Sequence, residues 1–189
     1  MKELAKDELI ALVKKAQQGD ESAFGQLYEH YLAPIYRFIY FKVKNQGESE
    51  DLTQNVFVKA WKSLARYQQQ PNIPFSSWLY TIARNTVIDF WKKKKAVLID
   101  HDLMDNLNTD GTLGDLNENL ELKEKRAVLR DCLYLLSDEQ QEIVVLRFIN
   151  DLSNQEISQI LNKSEEAVRQ IQYRAIKSLK EHLTQFNNQ

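Results

Sequence analysis

Ser153–Leu179 reads SNQEISQILNKSEEAVRQIQYRAIKSL. Ser153 and Glu156 have the spacing of a capping box, in which the serine hydroxyl accepts from a first-turn N–H and the glutamate reaches back to the serine N–H. That box opens a short helix ending at Ile160 and Leu161, after which Asn162 can take the left-handed conformation that a tight turn needs. Ser164 caps the next helix. There Val168, Ile171, Ala175 and Leu179 share an inward face, while Glu166, Gln170, Tyr173 and Lys177 face out, flanked by Arg169 and Arg174. A short helix, a tight turn and a longer amphipathic helix form a helix-turn-helix pattern, whose second helix enters the major groove of duplex DNA. Arg169 suits guanine, Gln170 suits adenine, and Glu165 or Glu166 suits the amino group of cytosine.

Upstream, Ser137 and Gln140 make a second capping box, opening a helix expected to bury Ile143, Val144 and Phe148. Leu129, Cys132, Leu133 and Leu136 give that helix an apolar neighbour. The amino-terminal half is also helical in period. Leu9, Leu12, Val13 and Ala16 form one stripe. Asp20 caps a second helix along Phe24, Leu27, Tyr28, Tyr31, Leu32, Ile35 and Ile39, which Asn45 and Gly47 should stop. A third helix, about Ser49 to Ala65, carries Leu52, Val56, Phe57, Ala60, Trp61 and Leu64, an arc wider than one neighbour requires. With 5 Gly and 3 Pro in 189 residues, little interrupts these patterns, and the fold class expected is all-α.

Phe75–Lys95, FSSWLYTIARNTVIDFWKKKK, combines aromatic rings with a cationic end. Leu79, Ile82, Ala83, Thr86 and Phe90 lie on one stripe, and Thr81, Arg84, Asn85, Ile88 and Lys92 on the other. Ser76 can cap this helix, with Phe75 stapled against Tyr80. Trp78, Tyr80 and Trp91 fall at the borders, where rings serve either as core edges or as stacking platforms for unpaired bases, worth about 1–3 kcal/mol each. Of the four lysines, Lys92 and Lys95 are three apart and can follow one phosphate backbone.

The charge is segregated. Residues 1–95 hold 15 Lys/Arg and 10 Asp/Glu, residues 96–122 hold 7 acids and no base, and residues 123–189 hold 10 of each, so the net charge of −2 hides a basic block behind an acidic one. Residues 96–122 lack a sustained period and suit a flexible linker. Two small helical domains, 1–95 and 123–189, are therefore expected on either side of an acidic tether. The single Cys132 excludes an internal disulfide and a CxxC metal site. No apolar run approaches the length of a membrane span, and the start MKELAKDELIALVKK resembles no cleaved leader, so no membrane insertion and a cytoplasmic location are expected. With no phosphate loop, no ligand cluster and only the scattered His30, His101 and His182, no enzyme, metal or cofactor is expected either.

Three stretches together carry a resemblance: SEDLTQNVFVKAW at Ser49–Trp61, the lysine-ended helix, and LSDEQQEIVVLRFINDLSNQEISQIL followed by SEEAVRQIQYRAIKSL. In order and spacing the chain resembles a bacterial RNA polymerase sigma factor of the sigma-70 family, extracytoplasmic-function group, over about Ala23–Lys95 and Leu129–Leu183. The resemblance implies a region 2-like domain followed by a region 4-like domain. It implies core RNA polymerase, through its beta-prime clamp and beta subunit, promoter DNA and an anti-sigma factor as partners. Asp51, Gln54, Asn55, Phe57 and Trp61 would lie on or support the clamp-docking helix, with Asn55 standing where the family usually has Glu. Tyr67, Phe75, Trp78, Arg84, Asn85, Lys92 and Lys95 would serve the minus-ten element, and Gln68 and Asn72 would add to base capture by the loop. Glu166, Arg169, Gln170, Tyr173, Arg174 and Lys177 would read the minus-thirty-five element. The acidic linker would run near the RNA exit route. A self-sufficient helix-turn-helix regulator with a sensing or dimerising amino-terminal bundle is the rival reading.

Overall fold

The computed structural model describes residues 5–68, 74–100 and 120–187, and among them every regular element is helical. The chain divides into two compact units, Met1–Gly111 and Thr112–Gln189.

The first unit holds α1 (Lys6–Gln17), α2 (Glu21–Val43), α3 (Gln46–Leu64) and α4 (Phe75–Asp100). Asp20 caps α2 as expected, accepting from the Ala23 N–H at 3.0 Å. The α2–α3 junction differs from the sequence reading. Lys44, at φ 59, ends α2, and Asn45 caps α3 by accepting from the Glu48 N–H at 2.9 Å. The third helix therefore starts at Gln46, and Gly47 sits within its first turn instead of stopping its predecessor. α4 begins at Phe75, which puts Ser76 inside the first turn instead of at the cap.

Leu27, Ile35, Phe38 and Ile39 of α2, Val56, Ala60 and Leu64 of α3, and Leu79, Tyr80 and Ala83 of α4 are buried together with Val13 and Ala16 of α1. Full burial of aliphatic and aromatic side chains at about 1.5–3 kcal/mol each makes this core the main stabiliser of the unit. α4 extends to Asp100 and the next helix opens at Leu120, so both ends of the stretch expected to be linker are helical. Residues 101–119, with His101, lie outside the described residues.

The second unit holds α5 (Leu120–Tyr134), α6 (Asp138–Val144), a π-helical turn (Val145–Ile149), α7 (Asn154–Leu161) and α8 (Glu165–Asn187). Both capping boxes form, Ser137 with Gln140 and Ser153 with Glu156. Asn162 is left-handed at φ 53, and Ser164 Oγ accepts from the Ala167 N–H at 3.1 Å. Cys132, Ile143, Val145, Leu146, Ile157, Val168 and Ala175 are fully buried.

Two apolar expectations are corrected. Phe148 is 57% exposed because Val145–Ile149 winds one residue wide, which turns the ring out of the α-helical stripe. In that turn the Asn150 N–H donates to the Val145 carbonyl at 3.0 Å, and Arg147 Nη1 donates to the Leu152 carbonyl at 2.9 Å. Leu129 is likewise exposed, leaving Cys132, Leu133 and Leu136 as the buried side of α5 and its following turn.

Candidate nucleic-acid interface

The outer face of α8 presents its side chains in one patch. Glu166, Arg169, Gln170, Tyr173 and Arg174 line a single shallow concavity, and Lys177 is exposed one turn further on. Val168 and Ala175, fully buried behind them, fix the face of the helix that points out. Tyr173 is 71% exposed, a large ring left in water on a helix whose other side is packed. Arg169 is held by its neighbours: Nη1 donates to Glu165 Oε2 at 3.3 Å and Nε to Glu166 Oε2 at 3.4 Å, while Gln170 Nε2 donates to Glu166 Oε1 at 3.4 Å. The patch thus carries side-chain donors and acceptors of the kinds that pair with base edges in a major groove.

In the first unit, the rings expected to stack on bases are divided. Tyr67 and Phe75 are buried, with centroids 5.7 Å apart, and Trp78 lies 5.0 Å from the first and 5.3 Å from the second. Tyr31 of α2 closes the cluster at 5.6 Å from Phe75. Tyr67 and Phe75, both expected to serve the minus-ten element, thus stand packed at the two legs of the loop between α3 and α4. Their apolar area is better covered by one another and by α2 than by water. Tyr80 is corrected. It is 1% exposed and packs edge-on to Phe38 at 5.6 Å, so it belongs to the core and cannot serve as a border platform. Trp78 and Trp91 remain half-buried and reachable. Gln68 is exposed, and residues 69–73, including Asn72, lie outside the described residues.

One residue that pattern reading missed holds this loop. Gln17 at the end of α1 donates through Nε2 to the carbonyls of Leu64 and Tyr67, at 3.2 and 2.6 Å. A glutamine closing an amphipathic helix carries no sequence signal for such a role.

On α4, Asn85, Lys92 and Lys95 are exposed and Arg84 is half-buried. The four lysines do not act alike. Lys94 turns inward to pair with Glu48 at 2.9 Å, and its ammonium sits 5.3 Å from the Phe90 ring centre and 5.5 Å from that of Trp91. Lys59 of α3 donates to Thr86 Oγ1 at 3.0 Å, a second polar tie between the same two helices.

α3 offers a separate face. Asp51, Gln54 and Asn55 are exposed, Phe57 is buried edge-on to Tyr28 at 4.7 Å, and Trp61, 37% exposed, leans on Phe24 at 4.8 Å. Phe24, Tyr28, Gln54, Phe57, Val58 and Trp61 line a groove of about 480 Å³ along α2 and α3. Val58 is half exposed within it. Only Phe57 and Trp61 of the wide apolar arc seen in the sequence line this groove, with the rings of α2 as its other wall; Leu52, Val56, Ala60 and Leu64 are buried in the core.

Among the described residues no group of His, Cys, Asp and Glu could hold a metal ion, and no helix is long and apolar enough to cross a membrane. Cys132 is buried, and burial with the neighbouring Asp131 carboxylate raises its thiol above the ordinary value, which leaves it a protonated core residue. His30 packs edge-on to Tyr31 at 4.7 Å.

Residues 27–97 match the family Sigma-70 region 2, and residues 132–181 match Sigma-70, region 4. The chain is 31% identical over 156 residues to the ECF RNA polymerase sigma factor SigM of Bacillus subtilis, covering 82% of this chain and 91% of that protein. It is 34% identical over 178 residues to the ECF RNA polymerase sigma factor BldN of Streptomyces coelicolor, covering 90% of this chain but spanning only 64% of BldN. Two solved folds are similar at a TM-score of 0.70. CnrH, in complex with the cytosolic domain of CnrY, is 23% identical, with 95% of this chain and 98% of that one covered. The sigma factor RpoE of Bartonella quintana, in complex with the anti-sigma factor NepR, is 21% identical, with 85% and 96% covered.

Proposed function

Because this chain belongs to the extracytoplasmic-function group of the sigma-70 family, we propose that it is a dissociable RNA polymerase subunit that selects and opens promoters. Its α3 face, with Asp51, Gln54 and Asn55 exposed and Phe57 and Trp61 lining the groove, docks on the polymerase clamp. Asn55, neutral where the family usually has Glu, removes one charge from that contact. α4 and the loop before it engage the minus-ten element as unpaired strand, with Arg84, Asn85, Lys92 and Lys95 on the backbone side and Trp78 available to a base. Extruding a base costs a few kcal/mol, which ring and amide contacts offset. α8 reads the minus-thirty-five element as duplex through Glu166, Arg169, Gln170, Tyr173, Arg174 and Lys177.

The reading takes residues 1–95 and 123–189 as the two grips, and 96–122 as an acidic tether along the RNA exit route. It takes the cytoplasm as the site of action and an anti-sigma factor as the regulating partner, a role supported by the NepR complex of the RpoE relative. No catalytic step falls to this chain, and phosphodiester chemistry stays with the polymerase.

The observation that carries the reading is the order of the two matched regions, each ending on an exposed polar helix face. Gel-shift titration of promoter fragments with and without core polymerase tests it. Weak binding by the chain alone and strong binding in the holoenzyme are expected. Tight duplex binding that ignores polymerase would instead favour the self-sufficient regulator.

A further inference from the structure

We infer that Glu165 and Glu166 are discriminator residues: they occupy Arg169 and Gln170 in the free protein, and thereby penalise α8 on wrong duplex sequences more than on the right one. This rests on the proposal that α8 is the duplex-reading helix.

Arg169 has five guanidinium donors, and in the free chain it directs two nitrogens at two different carboxylates, Glu165 at 3.3 Å and Glu166 at 3.4 Å. Glu166 also accepts from Gln170 at 3.4 Å, so both residues best suited to guanine and adenine share one acid. Glu165 and Glu166 stand in the first turn of α8, where the helix dipole would otherwise attract phosphate. All four side chains are solvent-accessible, so the pairs can open without unpacking the core.

On an arbitrary duplex, Arg169 must leave two acceptors for one phosphate, and two carboxylates then face the phosphate field. On a matching duplex, guanine O6 and N7 take the guanidinium, and a cytosine amino group gives a glutamate a donor in place of the one it lost. The acids thus lower affinity for every sequence and return most of it only on the right one, which is specificity by exclusion.

The test uses the whole chain and fluorescence anisotropy on two probes: a random-sequence duplex pool, and a duplex selected from that pool by the immobilised wild-type chain itself. Wild type is compared with Glu165→Gln, Glu166→Gln, the double variant, and Glu181→Gln, a neutralised exposed acid elsewhere on α8. The double variant should bind the pool about three- to tenfold more tightly, with a salt slope steeper by about one. It should gain less on the selected duplex, so that the preference narrows. An unchanged or weaker pool affinity, an equal gain on both probes, or an equal gain from Glu181→Gln would overturn the proposal. Co-elution of wild type with core polymerase is scored separately. Its absence would sink the sigma reading, while the comparison of the two duplexes would still judge the two acids.

Discussion

Gln17 shows how much one side chain can carry here: a single amide joins α1 to the carbonyls of Leu64 and Tyr67, where the chain leaves α3 for the loop. Gln17→Ala should lower the unfolding free energy by about 1 kcal/mol, because the Tyr67 carbonyl loses the amide donor while the Leu64 carbonyl keeps the Tyr67 N–H at 3.0 Å, and chemical denaturation checks it. It should also loosen the base of the loop, seen as faster amide exchange at Tyr67 and Gln68. The outward residues of α8 were legible in the sequence, because the inward stripe of Val168 and Ala175 leaves them no other direction. Tyr67, Phe75 and Tyr80 were not legible as buried. A ring at the edge of a helical stripe is covered or bare according to which neighbour crosses it, and the covering partners Tyr31 and Phe38 are more than twenty-five residues away in sequence.

Among the elements, α4 gives the clearest division of labour. Lys92 and Lys95 are exposed, whereas Lys94 is engaged with Glu48, Phe90 and Trp91. Replacing Lys92 and Lys95 with Ala should weaken holoenzyme binding at all promoters alike and reduce its salt slope by about one to two. Lys94→Ala should leave that slope nearly unchanged and lower thermal stability slightly, since the pair is about a third exposed. Salt titration of both variants separates the roles, and a large slope change for Lys94→Ala alone would reverse the assignment. Helix starts at Asp20, Ser137 and Ser153 were readable because a side-chain cap is a local event. The α2–α3 boundary was misread because Lys44 supplied the left-handed residue in place of a glycine. The π turn at Val145–Ile149 left no mark in the pattern: one extra residue per turn looks like ordinary α periodicity over so short a span, and Phe148 was placed on the wrong side.

At the scale of the whole molecule, the division into two units lies within the acidic stretch that charge counting marked, although α4 and α5 reach further into it than periodicity indicated. Two modest grips on one chain gain from effective concentration, since engagement of the first makes the second intramolecular. Supplying residues 1–100 and 120–189 as separate chains should therefore reduce promoter occupancy with core polymerase by about a hundredfold or more relative to the intact protein. Footprinting over both promoter elements reads the loss, and full occupancy by the mixture would show that the connection contributes nothing. Within the first unit, the surface assigned to the polymerase and the surface assigned to the opening strand stand on neighbouring helices joined by Lys59 to Thr86, by Lys94 to Glu48, and by a common core. Among the described residues these ties and the shared core brace the two faces against each other. A pull on one face should therefore carry to the other through the packing they share, and a glycine hinge engineered between them should let that leverage leak away.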